Sequence, residues 1–168
     1  LNKDFRRLNA DAGNTASAFL PFAADAQIEF CLAAVDPLGN PSNGITRTQT
    51  SLTSFFIGNI FGGTDSTLWH TSLGGYDGWN TSQYLNIWVA NTVSEKGVGF
   101  WPGAIPLWLP GARDGVAINY IAFGTIGTAT APYNLGRVAT HEVGHYFDLR
   151  HIWGSGGGCN DDDYVSDT

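Results

Sequence analysis

The sequence contains no methionine and only two cysteines, Cys31 and Cys159. It opens at Leu1 without a charged-then-apolar leader, and so reads as a mature or trimmed product whose targeting segment has gone. Basic residues are scarce. Eight Lys plus Arg stand against fifteen Asp plus Glu, a formal charge of -7, which disfavours a footprint on a phosphate backbone; nucleic acid is not expected as a partner. No stretch approaches the roughly 18 apolar residues of a membrane span, so no membrane partner is expected either. Two cysteines so far apart fit a mutual disulfide, two free thiols, or bridges to residues outside the chain, and they leave the compartment open.

The 168 residues suffice for one ordinary domain with a real core. With 43% apolar and 13% aromatic residues and only 14% charged, the chain is globular rather than disordered. The acids are unevenly spread: Asp161, Asp162, Asp163 and Asp167 crowd the last eight residues with no base among them.

Along the chain, Leu1, Phe5 and Leu8 fall at i, i+4 and i+7, which predicts a short amphipathic helix broken near Gly13. Gln27 to Val35 is an apolar, partly β-branched run closed by Asp36-Pro37-Leu38-Gly39, and predicts a strand followed by a turn. Residues 58–80 are rich in Gly, Ser and Thr and predict loop. Tyr84–Ala90 and Val116–Phe123 have the length and composition of interior strands, with Trp88, Tyr120 and Phe123 as core aromatics. Between them, Gly97–Pro110 carries three prolines and suits an edge strand or loop, not a central strand. Asn134–Phe147 predicts a helix with Leu135, Ala139, Val143 and Tyr146 on one apolar stripe and Asn134 as its cap.

Three of the four histidines lie within eleven residues, in the run His141-Glu142-Val143-Gly144-His145-Tyr146-Phe147-Asp148-Leu149-Arg150-His151. On a helix, residues 141 and 145 are one turn apart and project two imidazoles from one face toward a single zinc ion. A helix continued to residue 151 would leave that histidine roughly 80° off the ligand face and about 15 Å along the axis, so the helix must stop and the chain reverse for His151 to be the third ligand. The position for that reversal is held by Asp148, where this spacing usually has a left-handed Gly. Glu142, beside the first ligand, is placed to be a general base for a zinc-bound water, and three neutral histidines leave the ion its full charge to polarise a carbonyl. His70, isolated beside Trp69, is read as structural.

The extended histidine motif, followed by Ile152-Trp153-Gly154, Cys159 and Asp163-Tyr164-Val165-Ser166-Asp167-Thr168, resembles the pappalysin family of metzincins, particularly its bacterial branch. Ile28–Ala33, Gly44–Thr48, Tyr84–Val89 and Asp114–Val116 share the likeness. The resemblance implies an α/β (α+β) fold: a metzincin upper subdomain with a twisted mixed sheet, a backing helix over Leu1–Asn9 and the active-site helix. It implies an edge strand at Val98, Gly99, Phe100 and Trp101, along which a peptide substrate would lie. It further implies a secreted zymogen that cleaves peptide bonds, and a calcium ion held near Asp162, Asp163 and Asp167, whose hard oxygens suit it. Cys159 would then bridge to a cysteine beyond Thr168. A first strand before Leu1 and the methionine turn after Thr168 are expected elsewhere, so residues 1–168 read as an incomplete catalytic domain completed by a further polypeptide segment. The rival expectation is a noncatalytic binding module stabilised by zinc and calcium.

Overall fold

In the computed structural model, residues 1–57, 67–100, 114–154 and 161–166 are described. They fall into two compact units, Leu32–Leu149 and the pair of segments Leu1–Cys31 and Arg150–Thr168.

The larger unit is built on a three-stranded sheet. Strand β2 (Ile87–Ala90) lies parallel to β5 (Gly115–Asn119), and β4 (Gly97–Phe100) runs antiparallel on the other side of β5. A parallel pair of two-residue strands, β1 (Phe55–Phe56) and β3 (Thr92–Val93), accompanies it. The central strand explains the arrangement: Val116, Ala117 and Ile118 are wholly buried, as expected of a strand covered on both faces. Helix α2 (Arg137–Tyr146) packs on β4 and β5 through Ala139 and the fully buried Val143. Beside them, Phe55, Ile57, Leu68, Trp69, Trp88 and Phe100 form an apolar cluster, in which Trp69 and Phe100 meet edge to face with ring centres 5.9 Å apart.

Several predicted elements are trimmed. The run Tyr84–Ala90 becomes strand only from Ile87; just ahead of it the Asn86 carbonyl still accepts from the Val116 N–H at 2.9 Å, and the Asn86 side chain holds the Trp79 backbone, accepting from its N–H at 2.7 Å and donating to its carbonyl at 2.8 Å. The strand predicted over Val116–Phe123 ends at Asn119, whose side chain accepts from the Ile121 N–H and starts a single 3₁₀ turn over Tyr120–Ala122. Tyr120 and Phe123 therefore stand 40% and 39% exposed instead of joining the core, while Trp88 is buried as expected. Helix α2 starts at Arg137, not beside Asn134: Gly136 sits in the left-handed conformation (φ 73°) and blocks the helix there, leaving Leu135 exposed. Gln27–Val35 is not a strand among the described residues. Val35 makes one isolated bridge to Pro41, and the predicted turn does form, with the Gly39 N–H donating to the Asp36 carbonyl at 3.0 Å.

In the smaller unit, α1 spans only Asn2–Phe5. Arg7 is left-handed (φ 51°), which ends the helix short of the predicted Asn9, and Leu8 is 70% exposed. The Asn2 side chain clips the backbone of Phe30 in both directions, at 2.9 and 2.8 Å, and Phe5 meets the Phe30 ring edge to face. Arg6 reaches Asp25 at 2.9 Å and Glu29 at 3.2 Å. Cys31 is an exposed, unbridged thiol; Cys159 lies outside the described residues.

Candidate metal centre and active site

Helix α2 places His141 and His145 one turn apart, as the spacing predicts. Their Nε2 atoms are 3.0 Å from each other, with ring centres 4.5 Å apart and planes at 80°. The helix then ends in the reversal that the motif requires. Asp148 is left-handed at φ 65°, the Asp148 N–H donates to the His145 carbonyl at 2.9 Å, and the Leu149 N–H donates back to the Gly144 carbonyl at 3.1 Å. These two bonds are the 5→2 and 6→1 pair of a Schellman motif, which satisfies two carbonyls at the helix end and turns the chain round. Glycine is thus dispensable here, at the modest cost of an aspartate in the left-handed region.

The same turn brings the Leu149 carbonyl to 2.7 Å from Nδ1 of His145. A carbonyl can only accept, so Nδ1 carries the proton, and the Nε2 lone pair is left toward His141. This assignment rests on the hydrogen-bond geometry. Two residues further on stands His151, and one ring nitrogen from each of His141, His145 and His151 lies within 4.8 Å of the others. Three imidazoles, one with its tautomer fixed by a backbone carbonyl, form the donor set that a borderline-soft divalent cation such as zinc prefers. His151 is also stacked on Trp153, with ring centres 4.7 Å apart and planes within 16°.

Glu142 points away from solvent and is 7% exposed. Burial is the main cause that pushes its carboxyl up to about 7; the Gly99 N–H, donating to it, opposes the rise, and Glu95 adds to it. An open cleft of about 360 Å³ runs beside it, lined by Glu142 and His141, by Arg137 and Val138 at the start of α2, and by Glu95, Lys96 and Gly97 ahead of and within β4. Tyr146, on the same helix, has its phenol pushed up by burial and by the nearby Asp114.

The edge strand is where sequence placed it, one residue earlier. The Asn119 N–H donates to the Lys96 carbonyl at 2.9 Å, so in the antiparallel ladder the Val98–Ala117 pair also bonds, while Gly97 and Gly99 turn their peptide groups away from β5. The edge-facing groups are those of Gly97 and Gly99, whereas Val98 faces β5 and Phe100 is buried. Trp101 lies outside the described residues. Gly97, Lys96 and Arg137 were not singled out from sequence; the signal for Gly97 was its spacing of two from Gly99, which puts both glycines on one face of a strand.

Of the acidic residues, Asp162 is exposed and accepts from the Tyr164 N–H, Asp163 is buried and accepts from the Val165 N–H, and Asp167 lies outside the described residues. Among the described residues, the three histidines are the one group of metal-binding side chains gathered at a point. His70 lies 3.6 Å from Asp77 and away from that group.

The mixed sheet, the helix carrying two imidazoles and a glutamate, and the reversal to a third imidazole define a metalloprotease-type site of metzincin architecture. The sequence profile of peptidase family M43, described as pregnancy-associated plasma protein-A, matches residues 75–168, more than half the chain, and the chain belongs to that family. Mature mirolysin of Tannerella forsythia, solved with a cleaved peptide, superposes with a TM-score of 0.88 at 48% identity, covering 99% of this chain and 60% of that one. An extracellular metalloprotease of Podospora anserina is 32% identical over 139 residues, 76% of this chain and 46% of the relative. One from Arthroderma otae is 37% identical over 91 residues, 52% of this chain and 33% of the relative. The chain thus spans between a third and three fifths of the lengths of these proteins. No helix among the described residues is long and apolar enough to cross a membrane.

Proposed function

We propose that these residues carry the metal-binding part of a secreted zinc endopeptidase. The observation that carries the reading is the convergence of the His141, His145 and His151 ring nitrogens within 4.8 Å, beside a buried glutamate. His141, His145 and His151 would hold the ion. When bound, zinc supplies a Lewis acid that polarises the scissile carbonyl and lowers the pKa of the attacking water toward about 7.

The protein's own groups do the rest. Glu142, beside His141 and lining the cleft, takes the proton from the attacking water and returns it to the departing amine. A peptide would lie extended along the outer edge of β4, reading the peptide groups of Gly97 and the carbonyl of Gly99 by strand addition, the Gly99 N–H being taken by Glu142, and leaving its side chains to the cleft beside Arg137. The extracellular relatives and the solved mirolysin–peptide complex support secretion and a peptide substrate. The hard oxygens of the Asp162–Asp163 segment support a calcium ion nearby.

The test is Glu142→Gln in the full natural chain. One zinc per chain should be retained while peptide cleavage falls by about a hundredfold or more. Undiminished cleavage in that variant would remove Glu142 from the reaction.

A further inference from the structure

Strand β4 has four residues and two of them are glycine, at positions 97 and 99. Glycine within a strand weakens it and has nothing to pack, so its presence calls for a reason. Conformation is not that reason: neither glycine has a positive φ, and both hold ordinary extended backbone. Space is. The two lie on the face turned toward α2, and a Cβ on either would enter the volume of Glu142, though in different ways.

At Gly99 the obstacle is rigid. An added Cβ would run into the backbone carbonyl oxygen of Glu142 and stand 3.0 Å from the Cβ of His145, so strand and helix would have to separate. At Gly97 the obstacle is the Glu142 side chain itself: a Cβ there would lie 2.6 Å from its Cγ, 2.7 Å from Oε1 and 2.9 Å from Cδ. A flexible side chain yields to such a contact by rotating, at little cost to the fold. What yields in this case is the carboxylate that the proposed reaction uses.

We propose that Gly97 is a positioning residue for the base: its missing side chain is the space that the Glu142 carboxylate occupies, next to the Gly99 N–H that holds it. The inference rests on the assignment of Glu142 as the proton acceptor. It concerns the Cβ direction of Gly97, which points toward the helix and into Glu142, and not the ring nitrogens of the histidines, so metal binding should be untouched by it.

The experiment compares the full natural chain with Gly97→Ala and Gly99→Ala. Five properties are measured: zinc content, melting temperature, kcat and KM on a peptide substrate, and the position of the Glu142 carboxylate in a crystal structure. For Gly97→Ala we expect kcat to fall by about a hundredfold, the typical consequence of an ångström-scale misplacement. Zinc content and melting temperature should stay near wild type, because the change sits away from the histidine ring nitrogens; KM is read separately, since Gly97 also lines the cleft, and an effect confined to KM would overturn the proposal. The carboxylate should be displaced. Gly99→Ala should instead lower the melting temperature steeply or abolish folding. An unchanged kcat, an undisplaced carboxylate, or loss of the fold in Gly97→Ala would each overturn the proposal. If the wild-type protein binds no zinc, or Glu142→Gln is as active as wild type, the endopeptidase reading fails instead, and the crystal position of the carboxylate still decides whether Gly97 places it.

Discussion

The two α-helices among the described residues end in the same way and differ in nearly everything else. Helix α1 closes with the Arg7 N–H on the Asp4 carbonyl and the Leu8 N–H on the Lys3 carbonyl; α2 closes with the Asp148 N–H on His145 and the Leu149 N–H on Gly144. Each turn is made by a left-handed residue that is not glycine, Arg7 at φ 51° and Asp148 at φ 65°. Yet α1 is four residues long and buries none of them, whereas α2 runs ten residues over the sheet on Ala139, Glu142 and Val143. Helix length follows the buried face, since short helices gain their stability from packing more than from propensity. The shared terminal motif reverses the chain in both places, but only after α2 does the reversal lead to a third imidazole.

The largest effect should come from the packed face. Val143→Ala, at a fully buried position against the central strand, is expected to cost about 2 to 3 kcal/mol in denaturant unfolding and to lower zinc affinity with it. A loss under about 0.5 kcal/mol would mean that packing does not set the length of α2. Next comes the turn: Asp148→Gly should stabilise by about 1 kcal/mol with zinc content unchanged, because the left-handed strain is removed and the two closing hydrogen bonds are kept. Destabilisation there would show that the aspartate side chain has a task beyond the turn. Least affected should be the unpacked helix. Leu8→Ser is expected to move the unfolding free energy by no more than about 0.5 kcal/mol, since Leu8 is already 70% exposed.

The gathering of the three histidines was more legible in the sequence than the bounds of the elements around them. His141, Glu142 and His145 are tied by the geometry of one helical turn, and residue 148 had to reverse the chain if His151 was to contribute. Those relations are local, so spacing alone carries them. The errors share another cause. Leu135 continued the apolar periodicity of α2 but lies beyond Gly136, and Tyr120 and Phe123 continued that of β5 but lie beyond the turn started by Asn119. Periodicity extends an element until a side chain or a left-handed residue ends it, and such local competition is weakly marked in composition. Gln27–Val35 had strand composition but, among the described residues, pairs only through the Val35–Pro41 bridge, and pairing is a property of the whole sheet. The cleft residues Lys96 and Arg137 were invisible for the same reason, being brought beside His141 by the packing of β4 on α2.

In the proposed function, the chain reversal at Asp148 completes a three-histidine metal site. Anomalous scattering measured on both sides of the zinc edge, from crystals of the native protein, tests it most directly. We expect one zinc peak bonded to a ring nitrogen of each of His141, His145 and His151. A peak held by His141 and His145 together with a carboxylate from elsewhere, or no zinc at these histidines, would contradict it.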